Sequence, residues 1–251
     1  MESNRLHYYD HATCNYLSSH NRKVFLQIDK KKYNFLLPFT LLDIFSFSRL
    51  LSRLFRLDRI NILRFDKDYI LMLRQKNVIL HDLKLKESRI VFKLKKTRNI
   101  LFGSSVDRED TILFGDYGGN NRSKIYKSSD NGKSWDIIFE FGYKEIKQIL
   151  NIKWDKYEKK YWVFTGDERG ECGFFIFNEQ FEKLDKHYDG TLQYRAISVF
   201  FFAECVIWIT NDPYDGSKVY RYDRLTREII MLGSFLDSVW YSKRTNDGLI
   251  F

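Results

Sequence analysis

One turn chemistry recurs along this chain at a near-constant interval, and it limits the folds available. Under "SKIYKSSDNGKSWDIIFEF" align "KVFLQIDKKKYNFLLPF" from Lys23, "NVILHDLKLKESRIVFKL" from Asn77, "GFFIFNEQFEKLDKHY" from Gly173 and "SKVYRYDRLTREIIML" from Ser217. Each reads as a short alternating apolar strand, a polar turn and a second alternating strand. The turn-opening residues Asp29, Asp82, Asp130, Asn178 and Asp223 lie 53, 48, 48 and 45 residues apart. A second series precedes them, "DTILFGDYGG", "KYWVFTGDERG" and "VIWITNDPYDG", in which Asp116, Asp167 and Asp212 are 51 and 45 apart. A third apolar run leads each unit, as in "RINILRFDKDY" and "YRAISVFFFAEC".

Four short antiparallel strands in a unit of about 45 residues define a β-propeller blade. Full blades read as 60–98, 99–141, 144–189 and 193–235. Residues 23–38 supply an outer hairpin, and 237–251 supply an innermost strand and the start of the next. Joining 237–251 to 5–38 as a split blade gives five blades in one domain over 1–251; a truncated six- or seven-bladed ring fits the same pattern. Composition agrees with an all-β chain: aromatics make up 17% of the residues, and only 2 Pro and 13 Gly leave little for linkers.

The unit containing "SSDNGKSW" carries the most specific signal. Ser128, Asp130, Gly132, Ser134 and Trp135 fit Ser/Thr-x-Asp-x-Gly-x-Ser/Thr-Trp, the Asp-box, at every defining position. The chain therefore resembles the bacterial Asp-box, or bacterial-neuraminidase-repeat, propellers: sialidases and related glycosidase-like proteins. The roles of these residues follow from their chemistry. Asp130 accepts backbone N–H groups within the turn, Gly132 supplies a positive φ, and Trp135 folds back as a buried ring pinning the hairpin. These roles are structural. The resemblance implies a propeller fold and saccharide recognition at a face other than this turn.

Ligand chemistry is expected where loops from several blades converge. Loops after the second strand supply Asp116, Tyr117, Asp167, Glu168, Arg169, Asn211 and Asp212; loops before the first strand supply Tyr194, Arg195, Asp237, Trp240 and Tyr241. Asp116, Asp167, Tyr194, Arg195, Asp212 and Trp240 form the expected ligand set. Carboxylates bind sugar hydroxyls, with Asp116 and Asp167 as candidates for an acid–base pair; aromatic faces stack on pyranoses; Arg195 pairs with a carboxylate or phosphate. The Phe/Tyr-Arg-Ile-Pro element of sialidases is absent. "YRAI" at 194–197 lacks the proline and sits in another blade, so no sialidase catalytic residue is carried over.

Residues 41–59, "LLDIFSFSRLLSRLFRLDR", break the repeat. Arg49, Arg53, Arg56 and Arg59 recur at spacings of 4, 3 and 3 opposite Leu50, Leu51, Leu54, Phe55 and Leu57, the pattern of an amphipathic helix inserted between blades. Such a helix lies on an anionic membrane surface, docks on a protein partner, or packs its apolar side on the propeller rim. The formal charge of +9 is divided unevenly: residues 1–100 hold 21 basic against 9 acidic side chains (+12), and 101–251 hold 21 against 24 (−3). Cys14, Cys172 and Cys205 are too far apart for a disulfide framework, and the five histidines show no metal spacing. No cofactor, metal or nucleic-acid motif is read, and the lack of a leader or spanning segment places the protein in the cytoplasm. Two functions emerge: a glycan-recognising propeller with a glycosidase reading open to it, and a non-catalytic scaffold for a partner or membrane surface.

Overall fold

The structure, a computed structural model, describes residues 5–10, 14–55, 57, 59–94, 105–108, 111–117, 122–212, 214–239, 242–245 and 248–250. Among them are five four-stranded sheets in which every strand pairs with its neighbour in sequence. The first holds β1 (Arg5–Asp10), β2 (Asn15–His20), β3 (Lys23–Ile28) and β4 (Lys31–Leu36). The second holds β5 (Ile60–Phe65), β6 (Tyr69–Arg74), β7 (Asn77–Asp82) and β8 (Glu87–Lys93). The third holds β9 (Ser105–Arg108), β10 (Thr111–Gly115), β11 (Lys124–Ser128) and β12 (Asp136–Glu140). The fourth holds β13 (Ile149–Asp155), β14 (Lys160–Thr165), β15 (Gly173–Phe177) and β16 (Lys183–Tyr188). The fifth holds β17 (Ala196–Phe201), β18 (Cys205–Thr210), β19 (Ser217–Asp223) and β20 (Ile229–Phe235). These meanders are propeller blades, and the fold is an all-β propeller.

The blades share a local device. In four sheets the first strand carries a bulge against the second, at Leu6/Tyr8, Ile62/Arg64, Ile149/Asn151 and Ala196/Ser198. An extra residue there bends the strand and tightens its twist. Several middle strands, such as Tyr69–Arg74 and Gly173–Phe177, are buried over nearly their whole length, which explains their continuous apolar runs. Outer strands such as Glu87–Lys93 alternate or are exposed.

The chain divides into two compact units, one built from residues 1–100 with 107–112 and 128–136, the other from 101–106, 113–127 and 137–251. The first has one core cluster around Leu17, Leu26, Ile70 and Met72. The second has two: Leu113, Ile149, Val163 and Phe177 in one, and the aromatic set Trp162, Phe174 and Trp208 in the other.

The split blade expected from 237–251 and 5–38 is corrected. Residues 5–36 complete a four-stranded sheet by themselves, and Lys243–Arg244 (β21) pairs with Leu249–Ile250 (β22) in a separate two-stranded sheet. The inner pair β1–β2 escaped the pattern because Tyr, His and Ser fill positions held elsewhere by Leu, Ile and Phe. Leu17, Ser18 and Ser19 are nevertheless buried, and His7 Nε2 lies 2.7 Å from Ser19 Oγ.

The 128–135 turn is built on its side chains. Asp130 Oδ1 accepts the Ser134 N–H (2.9 Å) and the Ser128 hydroxyl (2.8 Å), and Oδ2 accepts the Ser134 hydroxyl (2.7 Å). Gly132 adopts φ +82° and donates to Ser128 Oγ at 2.8 Å. Trp135 donates from Nε1 to the Gly132 carbonyl at 3.0 Å, its ring 6.2 Å from that of Phe92. The ring is half-buried, not enclosed as expected.

The 41–59 insertion is helical but broken: a 3₁₀ helix at Leu41–Phe47 ends at Ser48, and α1 spans Arg49–Leu54. Packing of its apolar side on the rim is also corrected. Leu57 is enclosed, but Leu50 and Leu54 face outward. Arg56 lies outside the described residues. No helix among the described residues is long and apolar enough to cross a membrane.

Candidate functional site

All of the described site lies in the second unit, where loops leaving β14 and β18 meet loops entering β17. Asp167 is the hub. Its Oδ2 accepts the Tyr117 hydroxyl at 3.0 Å and lies 3.6 Å from Lys147 Nζ, and its Oδ1 is 3.7 Å from Arg195 Nη2. Lys147 also reaches Glu168 Oε1 at 2.6 Å, and that bond leads the causes that raise its pKa. Arg195 donates from Nε to the Asp167 carbonyl (3.2 Å) and from Nη1 to both the carbonyl and side-chain oxygens of Asn211. One guanidinium thus ties the loop after β14 to the loop after β18, the multiple use for which its planar fork is suited.

Beside this network a pocket of about 480 Å³ opens, lined by Arg169, Asp189, Thr191, Gln193, Asp212, Asp215, Lys218 and Tyr220 among others. Its walls are short polar turns. Asp189 Oδ1 accepts the N–H and hydroxyl of Thr191 (2.8 and 2.7 Å), and Oδ2 accepts Gln193 Nε2 (3.1 Å). Asp212 Oδ1 accepts the N–H groups of Tyr214 (2.8 Å) and Asp215 (3.2 Å). Lys218 pairs with Asp215, and this contact lowers the Asp215 pKa. Gly190, at φ +78°, lets the wall close, since a Cβ there would sit 2.7 Å from Gly170 Cα. Tyr220 is half-buried and stacks on Trp208 with centroids 5.8 Å apart, which fixes its ring. Burial raises its hydroxyl pKa.

The expected ligand set is only partly assembled. Asp212 lines the pocket, and Asp167 and Arg195, which meet each other, stand two residues from the lining residues Arg169 and Gln193. Asp116 turns into its own blade, where Oδ1 accepts the Lys124 N–H (2.7 Å) and Oδ2 the Tyr126 hydroxyl (3.3 Å). Burial pushes its pKa up to about 6. Tyr194 is a core residue: its ring stacks 6.4 Å from Trp208 and meets Phe174 edge-on, so it offers no open face to a sugar. Trp240 lies outside the described residues. The pocket residues that were missed, Asp189, Thr191, Gln193, Asp215, Lys218 and Tyr220, had one signal in the sequence. Two Asp-Gly pairs, Asp189-Gly190 and Asp215-Gly216, mark tight turns that hold polar side chains at blade ends.

Fold and site together define a β-propeller protein with a small polar pocket at loops between strands. No family model and no curated protein sequence matches the chain. Among solved structures it is similar to the extracellular domain of a protein described as a one-component system from B. thetaiotaomicron, at 14% identity and a TM-score of 0.61, over 99% of this chain and 30% of that one. It is similar to the dihydro-heme d1 dehydrogenase NirN, at 11% identity and a TM-score of 0.57, over 94% of this chain and 50% of that one. Regucalcin, a calcium-binding protein from Agrobacterium tumefaciens, matches at 13% identity and a TM-score of 0.52, over 92% and 73%. The chain spans about a third to a half of the first two proteins, and at these identities the likeness is one of fold.

Proposed function

We propose that this propeller recognises a saccharide in the pocket around Tyr220, by binding rather than by turnover. The carrying observation is the convergence of hydrogen-bonding groups of both signs on one fixed aromatic ring. Asp189, Asp212 and Asp215 supply acceptors, Arg169, Lys218 and Gln193 supply donors, and Tyr220 supplies a face for the C–H side of a pyranose. The volume of about 480 Å³ falls within the range of small-ligand sites. The Asp-box-like turn at 128–135 is consistent with kinship to sialidase-like propellers, and we carry over their ligand class from it.

Binding is favoured over hydrolysis by the state of the carboxylates. A glycosidase needs two carboxyl groups facing one bond, one of them protonated at working pH. Burial raises the pKa of Asp116 and of Glu171, but the two Asp116 oxygens accept bonds inside its own blade, and Glu171 stands among Lys147, Glu168 and Asp167 and does not line the pocket. Asp167 is compensated by Lys147, Arg195 and Tyr117. The three thiols without disulfides suit a reducing compartment, and we place the protein in the cytoplasm.

A glycan array and an aryl-glycoside screen test this reading. Saccharide binding without release of the aryl group is expected, weakened at least roughly tenfold (about 1.4 kcal/mol) by Tyr220→Ala. Absence of binding on the array, or binding indifferent to both Tyr220→Ala and Asp212→Ala, would sink it.

A further inference from the structure

The insertion after β4 is inside out relative to an ordinary surface helix. Thr40 and Asp43 point down. Asp43 Oδ2 accepts the backbone N–H and hydroxyl of Thr40 (2.8 and 2.9 Å), and its Oδ1 accepts Arg74 Nη2 at 2.5 Å. Arg74, enclosed in β6, donates from Nε to the Leu57 carbonyl at 2.9 Å, and Thr40 Oγ1 lies 3.0 Å from the Gln75 side-chain amide. The segment is thus fastened from beneath at both ends. Its apolar groups point out: Phe39 and Ile44 are each 56% exposed, Leu41 and Phe47 80%, Leu50 76% and Leu54 69%. Phe45 and Phe55 join the two helical pieces, with ring centroids 5.1 Å apart. So many large apolar side chains outward within one short segment mark an interaction site and not ordinary surface scatter.

The charge around this patch selects its occupant. Among residues 39–55 the sole acid is Asp43, and it is buried against Arg74. Exposed lysines ring the same end of the first two sheets. Lys23 pairs in register with Leu36, the last residue before the insertion. Lys76 adjoins Gln75, which holds Thr40, and its carbonyl accepts the Leu94 N–H, beside which Lys93 stands. Arg49 and Arg53 are interleaved with the apolar residues in the sequence. A symmetric contact with a second copy of the chain would bring these cations against their own kind. An anionic sheet of headgroups over hydrocarbon satisfies both chemistries together.

We propose that residues 39–55, with Lys23, Lys76 and Lys93, form a docking surface for an anionic lipid bilayer, with the outward Leu, Ile and Phe side chains entering the headgroup–acyl boundary. The two short helical pieces lie on the membrane and do not span it.

Co-sedimentation of the full chain with vesicles tests this. Binding to phosphatidylserine–phosphatidylcholine vesicles is expected to be at least roughly tenfold tighter than to phosphatidylcholine alone. It is expected to weaken in about 1 M salt, where screening shortens to ~3 Å. Leu41→Ser with Phe47→Ser and Leu50→Ser should abolish binding, whereas Lys23→Gln with Lys76→Gln and Lys93→Gln should remove the preference for anionic vesicles. Circular dichroism verifies that each variant folds. If the serine variant does not fold, spin-labelled lipid added to the wild-type protein should broaden the amide resonances of 39–55 selectively. Equal binding to neutral and anionic vesicles, or binding to neither, overturns the proposal. So does a wild-type dimer that the serine variant converts to monomer, which would make a second copy the occupant.

Discussion

Gly132 should be the least replaceable residue of the 128–135 turn, for two separable reasons. Its φ of +82° disfavours any residue with a Cβ, by about 1–2 kcal/mol. A Cβ built there would also stand 2.6 Å from Leu71 Cδ2, 2.7 Å from Cδ1 and 3.2 Å from Cγ. Leu71 is enclosed in β6 and has little room to retreat, so overpacking adds about 1–3 kcal/mol. Gly132→Ala should therefore cost about 2–5 kcal/mol in urea denaturation followed by circular dichroism. Gly170 is the internal control. It has φ +89° but nothing within 4 Å of its would-be Cβ, so Gly170→Ala should cost only the backbone share, about 1–2 kcal/mol. Adding Leu71→Ala should open space for the alanine at 132, making the double variant less destabilised than the sum by about 1–3 kcal/mol. If Gly132→Ala costs no more than Gly170→Ala, or the double variant is strictly additive, the turn is not held by close packing.

Three further variants probe the charges. Asp116 keeps its proton in the folded state up to about 6, against an ordinary value of 3.8. Its burial thus costs stability progressively as pH rises from 3.8 through 6, up to roughly 3 kcal/mol, and Asp116→Asn should flatten that part of the profile while being at least as stable as wild type at pH 7.5. The Asp130 carboxyl is held down at about 2, chiefly by the Ser134 N–H. Its contribution is present above the ordinary value of 3.8 and lost as pH falls toward 2, so Asp130→Asn should remove that acid limb from a thermal-midpoint titration. Arg195→Ala leaves the carbonyls of Asp167 and Asn211 without their donor and should cost about 2–4 kcal/mol in denaturant while weakening ligand binding in the adjacent pocket.

The blades were legible because a propeller repeats one hydrophobic pattern, and repetition survives local noise. The units around Asp82, Asp130, Asn178 and Asp223 each fall in a four-stranded sheet, with buried middle strands such as Gly173–Phe177 wholly apolar. The N-terminal inner pair was not legible, because Asn15–His20 buries serines alongside Leu17. At the site, Arg195 links the loops after the second strands that carry Asp167 and Asn211, but position does not fix direction. Asp116 occupies the equivalent place and turns inward because the Lys124 N–H and Tyr126 hydroxyl lie within its blade. Tyr194 looked like a sugar platform and is a core ring, since Phe174 and Trp208 offer it a packed slot. The outward face of 39–55 was hidden for a related reason. Helical periodicity shows two faces but not which of them is buried, and it took the enclosed Asp43–Arg74 pair and the outward Leu50 and Leu54 to show that apolar side chains are presented outward.

The central claim, a saccharide seated on Tyr220, is tested most directly by a crystal structure of the chain grown with the tightest binder from the glycan array. The account predicts difference density for a sugar ring over Tyr220, hydrogen-bonded to Asp212 and to at least one of Asp189, Arg169 or Lys218. Density for the same sugar at another surface, with this pocket holding only water, would contradict it.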